Sequence, residues 1–260
     1  MARQLVELLA PSVAFRESNV ETNRKVWDLY AKDWRPDCEW VRKMADNLGE
    51  EWNDADLEFI GDEWSDRYSL QQVLDEFILP YCLQGCKAME IGCGGGRVAV
   101  KVIPSCGEFH CADISSEMLR KAKQKVKELG LEAGRKVAFD YLEAAQLPAD
   151  CTETFDFIYS FDCFPHCDSH TIFQYLKEIR RALKSEGRAM IHTANITTEP
   201  GFKRFAKQKE ASVQGFCFTS PDIIRTLVKN AGLEIVKESS VDGNNIYYSR
   251  DFLCVLRKSG

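Results

Sequence analysis

From residue 87 onward, short apolar runs alternate with longer runs whose apolar positions recur at helical spacing. KAMEIGC, EFHCADI, KVAFDYL, FDFIYSF and GRAMIHTAN are too short for helices and are bounded by turn residues, so they read as buried strands. Between them lie amphipathic segments. In SSEMLRKAKQKVKELG, Ser115 or Ser116 caps, Leu119, Ala122, Val126 and Leu129 form the inner face, and Gly130 stops the helix. A second helix, 169–184, buries Ile172, Leu176, Ile179 and Leu183. A third, SPDIIRTLVKNAG, has Pro221 in its first turn and Gly232 past its end. A short helix starts near Gly96. LEIVKESSV and YYSRDFLCVLRK close the chain as two strands with no helix between them. The pattern predicts an α/β fold: a doubly wound, seven-stranded, mostly parallel sheet with an antiparallel C-terminal edge.

Before residue 87 the rhythm is helical, at about 2–10, 20–33 and 37–48, and then in SLQQVLDEFILPY, where Ser69 can cap and Pro80 ends the pattern. All five tryptophans lie within the first 64 residues. That shift divides the chain into a helical N-terminal cover, 1–68, and a main domain, 69–260.

A formal charge of -6 argues against a surface that wraps nucleic acid. No apolar run approaches the ~18 residues of a membrane span, and the N-terminus lacks the core of a signal peptide. The expected setting is the cytoplasm, with no membrane or nucleic-acid partner. The eleven cysteines are then reduced and mostly small buried apolar groups. Cys82/Cys86 and Cys163/Cys167 lack the spacing of a zinc ribbon, and no metal site is expected.

The first strand runs into MEIGCGGGR. Glycines at the carboxyl end of a strand in an open α/β sheet let backbone approach a ligand that any Cβ would block. The turn does not fit a dinucleotide fingerprint, because the sixth position is Arg97, and no Gly-Lys-Ser/Thr follows for a phosphate loop. Glu90 would repel a pyrophosphate but suits a ligand with a cationic part, such as an amino group or a sulfonium.

Glu90-Ile91-Gly92-Cys93-Gly94-Gly95-Gly96 resembles the first motif of the class I S-adenosylmethionine-dependent methyltransferases, acid-x-Gly-x-Gly-x-Gly. The resemblance extends over about 87–192 and implies a Rossmann-like fold, S-adenosylmethionine as cofactor and methyl transfer to an O, N or S atom of a small-molecule acceptor. It assigns the cofactor to Glu90, Gly92, Gly94, Gly96 and, 21 residues after Gly92, to Asp113 as the ribose ligand, with Ile114 and Met118 beside it. In YLEAAQLP it gives Glu143 the adenine amino group and Ala144 a backbone N–H, by their offset from Leu147-Pro148. Ser160 and Phe161 would line the mouth.

His166 and Asp162, after the fourth strand, are the candidate bases, and a histidine near its ordinary pKa suits proton removal at neutral pH. His192 and His110 read as buried structure and His170 as solvated. Trp27, Tyr30 and Trp34 fall on one helical face and could roof the site, with Trp64 and Tyr247 as further substrate contacts and Tyr248 and Arg250 near them. The segment 195–219 is long for a connection and reads as a lid, locally basic through Lys203, Arg204, Lys207 and Lys209. Competing functions are methylation of a protein or peptide, a nicotinamide-dependent oxidoreductase and a non-catalytic cofactor-binding subunit.

Overall fold

The computed structural model describes residues 18–48, 57–208 and 215–260. The expected helix at 2–10 and Lys209 lie outside the described residues.

Helix α1, Asn19–Asp33, starts at a capping box: the Glu21 N–H donates to Ser18 Oγ, and the Ser18 N–H donates to the Glu21 carboxylate. Helix α2 spans Glu39–Asp46 and α3 Arg67–Val73, the latter continued by a wide π-helical turn, Leu74–Ile78, and a tight 3₁₀ turn, Leu79–Tyr81. The cap of α3 is Asp66, not Ser69: its carboxylate accepts from the Ser69 N–H at 2.7 Å.

The strands are β1 (Cys86–Ile91), β2 (Cys106–Asp113), β3 (Lys136–Tyr141), β4 (Phe155–Ser160), β5 (Leu183–Ala194), β6 (Leu233–Glu238) and β7 (Asp251–Lys258). They form one seven-stranded sheet in the order β3-β2-β1-β4-β5-β7-β6. The first five are parallel, and β7 runs antiparallel between β5 and β6. The helices are α4 (Ala99–Val102), α5 (Ser116–Glu128), α6 (Ser169–Ala182), α7 (Glu199–Lys207), α8 (Pro221–Asn230) and α9 (Ile246–Arg250).

The period-two alternation of β1 sorts its side chains. Ala88 joins the layer of Phe157, Val102 and Ala122; Met89 and Ile91 join the opposite layer of Ile158, Leu176 and Val228. Helices α3, α4 and α5 therefore cover one face, and α6 and α8 the other. Both faces of the central strands β1 and β4 are buried, which is why they read as near-continuous apolar runs, whereas β3 at the sheet edge is not.

Three expectations are corrected. Leu129 is 48% exposed, since α5 ends before it could turn inward. Leu183 is buried as the first residue of β5, not as the end of a helix. The last strand begins at Asp251: Tyr247 and Tyr248 sit in α9, where the Asn245 side chain accepts both of their N–H groups and starts a helical turn.

Helix α1 lies over the carboxyl ends of β2 and β3. The Arg24 guanidinium donates to the carbonyls of Ile114 (3.2 Å), Leu142 (3.3 Å) and Glu143. Ser115 Oγ donates to Asp28 Oδ1 at 2.6 Å. Met118 of α5 packs into an apolar cluster with Ala31, Trp34, Val41 and Ile60. Among the described residues, no helix is long and apolar enough to cross a membrane.

Candidate functional site

Strand order reverses between β1 and β4, so the loops that follow these two strands diverge around a crevice, the place where open α/β sheets bind ligands. A cavity opens there, floored by the glycine turn and roofed by α1. The turn depends on its glycines. Gly92 has φ +75°, and a Cβ on it would lie 2.4 Å from Cys163 Sγ, so only glycine lets the loop after β4 cross the turn. Gly94 also has positive φ, but its missing Cβ faces open space, as a cradle for a ligand requires.

Three carboxylates line the cavity. Glu90 lies on the same face of β1 as Ala88 and accepts from Tyr159 Oη at 3.0 Å. Burial, reinforced by the charges of Asp113, Cys163 and Asp162, pushes its pKa well above the usual carboxylate range. Asp113 closes β2 and accepts the N–H groups of Gly94 (2.9 Å) and Ser115 (2.8 Å). Burial nonetheless raises its pKa to about 6. Two acids held uphill in this way favour a ligand that brings positive charge or donor hydrogens.

Asp162 behaves differently. It is a non-glycine residue at φ +56°, and its N–H donates to His192 Nδ1. Its carboxylate accepts from Tyr247 Oη (2.9 Å) and lies 3.4 Å from Arg97 Nη1. Burial works to raise its pKa, but the positive charge of Arg97 and the hydrogen bond from Tyr247 help to hold it below its ordinary value. The chain of charges runs on to Asp251, 3.1 Å from His192 Nε2 and 2.6 Å from Arg250. Asp162 is thus a fixed anion with Oδ2 engaged by Tyr247 and Arg97, better suited to orienting a group than to removing a proton.

His166 is set by its neighbours. Nδ1–H donates to the Gly215 carbonyl at 3.0 Å, and the ring packs edge-on to Trp27 and Phe216. Burial pulls its pKa down to about 4, well below the near-ordinary value expected from sequence, so the ring is neutral at pH 7 but a weak base, with Nε2 unengaged among the described residues. The contact with Gly215, and the Cys217 N–H donating to the Pro165 carbonyl, tie the end of the 195–219 segment to this loop.

Of the residues picked from sequence, Trp27, Trp64, Glu90, Gly92, Gly94, Asp113, Ile114, Met118, Phe161, Asp162 and His166 line this one cavity. The others stand behind or beside it. Gly96 packs against Ala122, where a Cβ would come within 3.3 Å of its Cα. Ser160 is buried, its hydroxyl donating to the Ile91 carbonyl. Tyr247 acts through Asp162. Tyr30 and Trp34 donate to Glu63, at 2.6 and 3.1 Å, and Trp64 donates to Tyr30, so they brace the roof from above. Glu143 and Ala144 are exposed, and Leu142 lines the cavity at that strand end instead.

Sequence reasoning missed Glu63, Arg97 and Asn23. Glu63 is 1% exposed amid other acids, with nothing in the pattern to mark it. Arg97 had a signal: a cation opening the largely apolar run RVAVKVI, directly after the glycine turn. Asn19 and Asn23 precede Trp27 at intervals of four, on the face that meets the cavity.

A family model described as a methyltransferase domain matches residues 88–187. No curated protein matches the chain. Among solved structures, magnesium protoporphyrin IX methyltransferase from Synechocystis PCC 6803, with bound SAH, is similar at 16% identity and a TM-score of 0.62, covering 90% of this chain and 99% of that one. An S-adenosylmethionine-dependent methyltransferase from Clostridium acetobutylicum is similar at 15% identity and a TM-score of 0.59, with 75% and 93% covered. A protein from Pyrococcus horikoshii OT3 gives 19% identity, a TM-score of 0.61 and coverage of 80% and 100%. The matched domain begins in β1 and spans the glycine turn, Asp113 and the loop after β4, so residues 88–187 carry a methyltransferase domain, and the fold around it is shared with S-adenosylmethionine-dependent methyltransferases of known structure.

Proposed function

We propose that this enzyme moves the methyl group of S-adenosylmethionine to an oxygen, nitrogen or sulfur atom of a small molecule. The observation that carries the proposal is the cavity: three acids and a bare glycine turn below, with Trp27 and Trp64 lining it from the N-terminal segment. A roofed cavity favours a small acceptor over a protein, whose chain needs an open mouth. The name of the Synechocystis neighbour, which specifies a porphyrin, agrees with this reading.

The residues present fit the cofactor. The open space at Gly94 admits its backbone-hugging part, Glu90 suits the amino and sulfonium charges, and Asp113 can accept the ribose hydroxyls. When bound, the cofactor supplies an activated methyl group. The chain's part is to hold the nucleophile in line and keep water out. In this reading Trp27 and Trp64 exclude water, Asp162 orients the acceptor, and neutral His166 takes a proton where the acceptor carries one. Residues 1–68 serve as cover and 195–219 as lid, and the setting is the cytoplasm, in keeping with eleven cysteines that all stand as thiols.

Two outcomes follow. With labelled S-adenosylmethionine, a panel of small phenols, amines, thiols and carboxylic acids is expected to yield a methylated product, and a panel of peptides none; labelling of peptides alone would sink the small-molecule reading. The second concerns pH. Asp113 accepts hydroxyl donors best when ionised, and its pKa in the free protein is about 6, so affinity for S-adenosylhomocysteine should weaken as pH falls through that value and level off above it. In Asp113→Asn the part of the pH dependence due to this carboxylate should vanish; an unchanged profile would show that Asp113 is not in contact with the ligand.

A further inference from the structure

We propose that Asn23 of α1 reads the purine amino group of the bound cofactor, which makes the N-terminal helix part of the cofactor site as well as its roof. The proposal rests on the methyltransferase reading above.

Asn23 lines the cavity and is 3% exposed. Its Nδ2 donates to the Asn19 carbonyl (3.0 Å) and to the His166 carbonyl (3.0 Å). Both partners are acceptors, so the amide has one orientation: reversed, it would set three oxygens against one another. Oδ1 is thereby fixed, and it is buried without a hydrogen-bond donor. A native protein rarely leaves a buried acceptor unsatisfied, and each such atom asks for a donor that the protein itself does not supply.

The sheet indicates which donor. In the cofactor, the methionine chain leaves the ribose at C5′ and the purine at C1′. The glycine turn follows β1, Asp113 ends β2, and Leu142 follows β3, with β2 lying between β1 and β3. A methionine part at β1 and a ribose at β2 put the purine toward β3, beside Ile114 and Leu142. That is where α1 is fastened, by Arg24 to the carbonyls of Ile114, Leu142 and Glu143. Asn23 lines the same cavity as Ile114 and Leu142 and carries the unsatisfied acceptor, and the purine has one exocyclic amino group to give. Glu143, the acid expected there from sequence, is exposed, and its carbonyl is taken by Arg24.

The test is calorimetric binding of S-adenosylhomocysteine and of S-inosylhomocysteine, which carries a carbonyl in place of the amino group, to the full chain and to Asn23→Ala. The unaltered chain should prefer S-adenosylhomocysteine by about tenfold or more, the worth of one well-made hydrogen bond, and Asn23→Ala should reduce that preference to within about twofold of parity. A purely structural role, such as holding the His166 carbonyl, would weaken both ligands alike and leave the ratio unchanged, which would overturn the proposal. Equal binding of both ligands by the unaltered chain would overturn it without recourse to a variant. So would a preference that survives Asn23→Ala but is lost in Glu143→Ala. If the unaltered chain bound neither ligand, the methyltransferase reading itself would fall, and the role of Asn23 with it.

Discussion

Arg97→Leu is expected to destabilise the fold by about 3–5 kcal/mol, the cost of breaking a buried ion pair from one side. Arg97 is 6% exposed and donates to Asp62 (3.2 Å), Ser65 (2.7 Å), Tyr247 (3.5 Å) and Asp162 (3.4 Å). Leucine fills much of the space but leaves Asp162 and Asp62 without their cation. The loss should show as a lower denaturant midpoint at pH 7. It should shrink in acid, because Asp162, held below its ordinary pKa in the folded protein, contributes stability that is present above the unfolded carboxylate pKa and lost as pH falls through the folded one. A change below about 1 kcal/mol at pH 7 would mean that solvent or a neighbouring group already screens these acids.

The second large effect separates two glycines of the same turn. Gly92→Ala should cost at least about 2–4 kcal/mol, combining a left-handed backbone with a Cβ placed 2.4 Å from Cys163 Sγ and 2.5 Å from its Cβ. Relief requires the loop after β4 to move, which would displace Asp162 from Arg97 and Tyr247. Gly94→Ala meets no protein atom within 4 Å, so it should cost only the strain of its φ of +52°, about 1 kcal/mol. Its methyl group would instead enter the space assigned to the cofactor. Thermal melts and calorimetry should therefore part the two: Gly92→Ala unstable, Gly94→Ala nearly as stable as the parent but weak in binding S-adenosylhomocysteine. Equal stability losses would show that packing, not ligand access, sets both positions.

The fold was legible because its signals are local. Apolar runs bounded by turns, Ser115 and Ser220 as caps, and Pro221 and Gly232 at the two ends of one helix placed the strands and helices of the main domain within a few residues. Errors fell where a tertiary partner decides. Asp66 outcompetes Ser69 for a cap because its carboxylate is a charged acceptor, and Asn245 turns Tyr247 and Tyr248 into a helix that β-propensity argues against. At the site, the glycine turn and Asp113 were readable from type and spacing, since backbone approach and a strand-end carboxylate each leave a mark in one segment. Asn23, Glu63 and Arg97 were not, because their roles arise only when α1, the loop before α3 and the loop after β4 meet over the sheet. No periodicity records that meeting. Glu143, assigned to the purine amino group by resemblance, is exposed in the structure, and Arg24 donates to its backbone carbonyl.

The most direct measurement is calorimetric titration of the purified chain with S-adenosylhomocysteine, with NAD as the control ligand and Asp113→Ala alongside. The expected result is micromolar binding of S-adenosylhomocysteine alone, lost in Asp113→Ala while the variant's melting curve shows it folded. Binding of NAD in its place, or binding that Asp113→Ala leaves intact, would contradict the assignment of this cavity to S-adenosylmethionine.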